Sequence, residues 1–178
     1  MTSEKYFITS ALPYINNVPH LGNIIGCVLS ADVYARFLRK IGKEVLYLCG
    51  TDEYGTTTEV KAIQEGLTCQ EICDKYHKLH KEIYEWFNIS FDVFGRTTTE
   101  TQTQMAQDIF TKLYENGHLV GKSTVQLKCN SCDLFLADRY VSGMCKCGKF
   151  TKSADQCDKC HQLLETKDLL NPIMMFVV

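Results

Sequence analysis

Tyr6-Phe7-Ile8-Thr9-Ser10, the breakers Pro13, Asn16, Asn17 and Pro19, a helical pattern opening at Leu21, and Glu44-Val45-Leu46-Tyr47-Leu48-Cys49 together set the fold class. The first run is short, apolar and cut off by proline, as a buried strand entering a loop should be. From Leu21 the apolar residues Leu21, Ile25, Val28, Leu29, Val33, Phe37 and Leu38 recur at helical spacing, and Gly42 supplies a stop. The second run is continuous rather than alternating, which predicts a strand of a parallel sheet buried on both faces. Strand, helix and strand make a β-α-β unit by residue 50.

Working outward, Gly50-Thr51-Asp52-Glu53-Tyr54-Gly55 forms a loop at the carboxyl end of the second strand, where ligands of open α/β sheets bind. A helical stretch then passes through Ala62 and Ile63 to Gly66. Thr68 with Glu71 is a capping box, and Ile72, Tyr76, Leu79, Ile83, Trp86 and Phe87 mark the apolar face of the helix it opens. Phe91-Asp92-Val93-Phe94 reads as a third strand, and Met105, Ile109, Phe110, Leu113 and Tyr114 line a helix ending at Gly117. Residues 1–118 are thus an α/β unit. In 119–178 the texture changes: Val120 to Lys128 looks extended, six cysteines follow, and Asn171 to Val178 ends on an uncapped apolar run that reads like an interrupted chain.

Length and composition bound the function. A chain of 178 residues that is 45% hydrophobic and 22% charged belongs to the ordinary globular class. With 19 Lys+Arg against 21 Asp+Glu, it lacks the broad basic field of non-specific nucleic-acid binders, so no DNA partner is expected and any nucleic-acid contact is local. No apolar run approaches the ~20 residues of a membrane span. Met1-Thr2-Ser3-Glu4-Lys5 is not a signal peptide. A cytosolic, non-membrane protein is expected.

The loop from Pro13 to Asn23 joins a strand to a helix N-terminus, where free N–H groups and the helix dipole favour a phosphate. His20 and Asn23 add donors, Gly22 lets a ligand approach the backbone, and Pro19 fixes the turn. The alternative is a capped loop in which His20 satisfies a backbone carbonyl. Asp52, at the end of the neighbouring strand, suits a substrate ammonium, or else it is a surface turn residue. No Gly-x-Gly-x-x-Gly, P-loop or Gly-x-Ser-x-Gly motif is present.

Of the ten cysteines, Cys129-x2-Cys132, Cys145-x-Cys147 and Cys157-x2-Cys160 form close pairs. Two such pairs make a four-thiolate zinc site with no open position, hence structural rather than catalytic. Three pairs leave one over, unless His161 or a residue outside the chain completes a second site. The single residue between Cys145 and Cys147 predicts a tight turn. Cys27, Cys49, Cys69 and Cys73 read as packed. Cys69, Cys73, His77 and His80 lie near one helical face, where their i, i+4 and i+3 spacing could ligate a metal; the alternative is solvated or packed side chains.

Ile8-Thr9-Ser10-Ala11-Leu12-Pro13-Tyr14, Asn17-Val18-Pro19-His20-Leu21-Gly22-Asn23, Gly50-Thr51-Asp52-Glu53-Tyr54-Gly55, Asn88-Ile89-Ser90-Phe91-Asp92 and Phe94-Gly95-Arg96-Thr97-Thr98 closely resemble the N-terminal catalytic half of the methionyl-tRNA synthetase family, class I aminoacyl-tRNA synthetases. The likeness is greatest to the eukaryotic branch and covers about residues 5–170. It implies a Rossmann-like parallel-sheet half-domain followed by a zinc-bearing connective insertion. It also implies an enzyme that joins methionine to ATP, with Mg, and passes the methionyl group to tRNA-Met. By motif, Leu12, Tyr14 and Asp52 would bind methionine. Pro13, His20, Gly22 and Asn23 would bind ATP, with His20 and Asn23 the catalytic pair. His-Leu-Gly-Asn departs from the family's His-Ile-Gly-His in its last place. Cys145, Cys147, Cys157 and Cys160 would hold zinc, and Cys129 and Cys132 would belong to a second, incomplete site.

The family's Lys-Met-Ser-Lys-Ser loop, second nucleotide-fold half and anticodon domain are not in the sequence, so the resemblance implies a fragment that is inactive alone and whose sheet has an unpaired edge. A different reading keeps the fold as a non-catalytic binder of RNA or another partner. A third, a zinc-ribbon interaction module with an α/β companion, leaves the His-Leu-Gly-Asn loop unexplained.

Overall fold

The computed structural model describes residues 4–175 in two compact units that divide between Leu113 and Tyr114. The first is built on a three-stranded parallel sheet, β1 (Lys5–Thr9), β2 (Glu44–Thr51) and β3 (Val93–Arg96), in the order β1-β2-β3. Ile8 pairs with Tyr47, and Gly50 with Gly95. β3 begins two residues later than its apolar run suggests. Asp92 instead caps the ladder: its N–H donates to the Tyr47 carbonyl at 2.9 Å, and its Oδ2 accepts the Tyr47 N–H at 2.6 Å.

Between β1 and β2 the chain runs as one helical stretch from Leu21 to Lys40: α1 (Leu21–Asn23), a π-helical segment (Ile24–Leu29) and α2 (Ser30–Lys40). The buried face runs through the π segment at three- and four-residue spacing. Ile24, Val28, Asp32, Ala35 and Leu38 are buried, whereas Leu21, Ile25, Val33 and Phe37, expected on the core side, are exposed. Counter to the sequence expectation, Leu21–Lys40 is long and apolar enough, by length and composition, to cross a membrane. Its buried face nevertheless packs as a core helix does, with Ala35 and Leu38 against Ile8 and Tyr47. Asp32 accepts from the Ser90 N–H and from Arg36 Nε at 2.7 and 2.6 Å.

α3 (Thr56–Glu65) ends at Gly66, whose φ of +65° closes the helix in the left-handed region. α4 (Cys69–Trp86) opens on the expected capping box: the Glu71 N–H donates to Thr68 Oγ1 and the Thr68 N–H to Glu71 Oε2. Its buried face carries Ile72, Cys73, Tyr76, His80 and Tyr84, while Trp86 is exposed. Tyr84 joins Ile24, Val28 and Cys49 in the core. The sheet is covered on this face alone among the described residues. Phe7, Leu46 and Val93 on the other face are exposed, contrary to the expectation of two buried faces. α5 (Glu100–Glu115) has no buried residue.

The second unit holds the hairpin β4 (Lys128–Cys129) and β5 (Leu134–Phe135), and the antiparallel sheet β7-β6-β8, formed by Phe150–Thr151, Val141–Met144 and Leu170–Met174. No strand or helix is assigned to 120–127. Val177 and Val178, at the end of the apolar terminal run, lie outside the described residues, as does Phe176.

Candidate functional site

After Thr9 the chain leaves the β1 ladder and returns to it at Tyr14, which bridges to Asp52. The Asp52 N–H donates to the Pro13 carbonyl at 2.9 Å, and the Ile15 N–H to the Asp52 carbonyl at 3.2 Å. Thr9 pairs with Leu48 and Tyr14 with Asp52, so the first chain takes five steps where the second takes four. The surplus residue throws the segment around Ala11 and Leu12 outward at the sheet's carboxyl end. Pro13 and Ile15 are buried and anchor the return; Leu12 and Tyr14 are exposed and Asp52 is half-buried. Asp52 opens on a cleft of about 370 Å³ that it shares with Tyr54, Thr97, Gln102 and Thr103.

The same loop ends in a reciprocal cap. His20 Nδ1 accepts the Gly22 N–H at 3.0 Å, and Asn23 Oδ1 accepts the His20 N–H at 3.2 Å. The cap therefore uses one acceptor from each side chain. An accepting Nδ1 places the proton of neutral His20 on Nε2, and an accepting Oδ1 leaves the Asn23 amide NH2 uncommitted to the cap. Two donors are thereby left at the positive end of a helix, the chemistry an anion needs. The capped-loop alternative is half right: His20 does cap, through a backbone N–H rather than a carbonyl. Gly22 leaves room for the His20 ring, because a Cβ there would lie 2.8 Å from His20 Cε1 and push the ring aside. The π segment follows directly, and Cys27 in it donates to the Ala11 carbonyl at 3.2 Å, tying the helix to the outward loop.

Sequence reasoning missed the support beneath Asp52. The Glu53 side chain is fully buried, and its carboxylate accepts from Thr51 Oγ1 at 2.9 Å, from Arg96 Nε at 2.7 Å and from Thr98 Oγ1. Arg96 Nη2 also reaches Asp74 at 2.7 Å. The only local signal was a charged residue between a strand end and Tyr54-Gly55. Two histidines of α4 complete the support: His77 Nδ1 lies 2.9 Å from Thr51 Oγ1, and His80 Nε2 lies 2.7 Å from the Asn17 carbonyl. Burial holds both imidazoles below their ordinary pKa. They are packed groups with hydrogen-bonding tasks, not ligands in a set with Cys69 and Cys73.

In the second unit, the ligand atoms of Cys145, Cys147, Cys157 and Cys160 lie within 4.8 Å of one another. Cys145 and Cys147 sit on the turn between β6 and β7, closed by Gly148 N–H to the Cys145 carbonyl at 2.8 Å, with Gly148 at φ +80°. The single intervening residue tightens this turn without separating the pair from its partners. Cys157 and Cys160 sit on a second turn, closed by His161 N–H to the Cys157 carbonyl at 2.8 Å. Sulfur separations of 3.7 Å (Cys145–Cys160) and 3.6 Å (Cys147–Cys157) match the ~3.8 Å edge of a tetrahedron with ~2.3 Å zinc–sulfur bonds. Backbone N–H groups of Cys160 and Lys159 hold the Cys157 thiol down to about 6. The Cys147 N–H pulls the Cys145 thiol down as well, but burial and three neighbouring thiols push it up to about 12. Such a set ionises fully only around a cation, so the four cysteines could hold a metal ion. Cys129, at the end of β4, and Cys132, in the turn to β5, stand apart from this cluster, with Cys132 Sγ 3.9 Å from Met174 Sδ. His161 is not in the cluster either.

The model of the family described as tRNA synthetases class I (M) matches residues 6–177. A probable cytoplasmic methionine–tRNA ligase of Dictyostelium discoideum is 62% identical over 171 residues, 95% of this chain and 23% of that protein. The cytoplasmic methionine–tRNA ligases of Homo sapiens and Saccharomyces cerevisiae are 61% and 58% identical over 170 residues, 95% of this chain and 19% and 23% of theirs. The chain thus spans about a fifth of the length of the curated relatives it matches. Methionyl-tRNA synthetase of Mycobacterium tuberculosis, solved in complex with methionyl-adenylate, shares the fold with a TM-score of 0.71 at 22% identity, over 91% of this chain and 30% of that one.

Proposed function

The chain belongs to the class I tRNA synthetases (M), and from that membership we propose that it is the methionine- and ATP-binding part of a cytoplasmic methionine–tRNA ligase. On this reading residues 1–118 are the first half of the nucleotide-binding domain and 119–178 a connective insertion folded around structural zinc. The substrates are methionine, ATP with Mg, and tRNA-Met; neither DNA nor a membrane is a partner. The observation that carries the reading is the reciprocal cap of His20 and Asn23, which engages their acceptors and leaves a donor on each.

Asp52 takes the methionine ammonium at its cleft, and exposed Leu12 and Tyr14, which do not line that cleft, contact the methionine from the neighbouring loop. The ammonium–carboxylate pair orients the substrate so that its carboxylate oxygen can attack the α-phosphorus of ATP. His20 Nε2–H and the Asn23 amide, beside the Pro13 turn and the Gly22 backbone that carries the His20 ring, stabilise negative charge as pyrophosphate leaves. Methionyl-adenylate then gives its acyl group to the terminal adenosine of the tRNA. Zinc on Cys145, Cys147, Cys157 and Cys160 supplies folding energy, since four thiolates leave no open position. Cys129 and Cys132 would be two ligands of a second site.

The test is methionine-dependent ATP–pyrophosphate exchange by the protein encoded by the complete reading frame. His20→Ala and Asn23→Ala should each lower kcat by about 100-fold or more, as loss of a transition-state donor does. Exchange that is absent from the unaltered protein, or indifferent to both substitutions, would overturn the assignment.

A further inference from the structure

We propose that Glu53 and Arg96 are positioning residues for Asp52, an ion pair with a fully buried carboxylate and a partly exposed guanidinium that turns the neighbouring carboxylate toward the substrate ammonium. This rests on the reading of Asp52 as the ammonium-binding group. On extended backbone, successive side chains point to opposite sides. Glu53 is drawn fully inward, so Asp52 is presented outward to its cleft.

The inward side is held by hydrogen bonds from separate segments. Glu53 accepts from Thr51 on β2, from Arg96 on β3 and from Thr98 just beyond it, and its own N–H donates to Thr97 Oγ1 at 3.0 Å. Thr51 gives its proton to Glu53, so its oxygen is an acceptor and His77 of α4 must donate to it through Nδ1–H. Arg96 Nη2 also lies 2.7 Å from Asp74 of α4, a second ion pair. The backbone of Asp52 is pinned from the other side by Pro13 and Ile15. A buried ion pair is a poor source of stability compared with apolar residues of the same volume, but removing one partner strands the other charge. Without Arg96 the buried Glu53 carboxylate loses its closest counter-charge, and the shift that relieves it moves the adjoining Asp52.

The experiment compares Arg96→Met, Arg96→Lys and Thr98→Val in pyrophosphate exchange, again in the protein encoded by the complete reading frame. Arg96→Met should raise KM for methionine roughly 2- to 30-fold, the range expected for a residue acting through another, with KM for ATP unchanged. Arg96→Lys, which keeps the charge but not the fork, should recover part of the loss. The des-amino analogue of methionine, which has no ammonium to place, should inhibit all variants with the same Ki. Should Arg96→Met fail to fold, Thr98→Val carries the test, because it removes one donor to Glu53 at constant volume and should shift the methionine KM in the same direction. Equal rises in both KM values, no change in either, or weaker inhibition by the analogue would overturn the proposal while leaving the functional assignment intact. An unaltered protein without methionine dependence would overturn that assignment and this inference with it.

Discussion

Gly22 donates its N–H to His20 Nδ1 at 3.0 Å, and a methyl group added at Gly22 would lie 2.8 Å from Cε1 of the same ring. The backbone that orients the imidazole is thus also the surface against which the ring rests. A Gly22→Ala variant cannot keep both contacts. The ring must swing away, carrying the Nε2–H with it, while the rest of the cap can re-form. We expect a fall in exchange activity of up to about 100-fold, the order seen when a catalytic group is misplaced by an ångström. A thermal melt within a few degrees of the parent would show that the loss is local.

Gly50 meets a harder wall. A Cβ there would stand 2.7 Å from the Gly95 carbonyl oxygen and 2.9 Å from its carbon, both backbone atoms of the paired strand. Gly50→Ala should therefore destabilise the first unit by about 1–3 kcal/mol, as overpacking does. A lowered urea midpoint at unchanged slope is the expected result. An unshifted midpoint would mean that β2 and β3 part more easily than their register suggests.

Acid should weaken the first unit before its carboxylates protonate. Burial holds the His80 pKa below 6.5, outweighing the Asn17 carbonyl that stabilises the charged ring. The folded state then binds fewer protons than the unfolded one, so stability is complete above about 6.5 and is lost as the pH falls toward the folded value. His77, lowered by burial and then by Arg96, acts in the same window. Urea midpoints measured at about pH 7.5 and 5.5 should fall with acid, and His80→Gln, which keeps a donor for Asn17 but does not titrate, should reduce the difference.

Metal removal should act on the second unit alone. About one zinc per chain is expected from the four clustered thiols, and Cys157→Ser should abolish stoichiometric binding whereas Cys129→Ser should not. Chelation should expose the amides of 141–164 to hydrogen exchange, because a segment of two-residue and four-residue strands has little else to hold it. Protection that survives the chelator would remove the metal from the folding of this unit.

The local features were legible and the faces were not. β1, the capping box at Thr68 and the His20–Asn23 loop depend on residues within four positions of one another, and they stand where the pattern put them. The helix from Leu21 buries Ile24, Val28, Asp32, Ala35 and Leu38, one face at three- and four-residue spacing. Val33 and Phe37 fall on the side opposite Val28, so the apolar residues there span more than one face, and Asp32 goes in where Ser90 and Arg36 satisfy it. Trp86 was likewise expected inside and lies outside, where His80 and Tyr84 take the core positions. Apolar spacing shows that a helix has a face, but the neighbouring element decides which part of it is covered.

What the sequence determined by itself was the order of strands and helices, the two loops at the sheet's carboxyl end and the three cysteine pairs, each written in short-range spacing. What only the tertiary structure decided was long-range pairing. Spacing leaves open which two cysteine pairs meet, and the fold brings together Cys145, Cys147, Cys157 and Cys160, the set the family resemblance implies, while Arg96 meets a glutamate 43 residues away that no sequence signal marks. A charge or thiol on one segment carries no mark of its partner on another. That choice is made when the backbone folds and burial leaves each group only the few neighbours within reach to satisfy it.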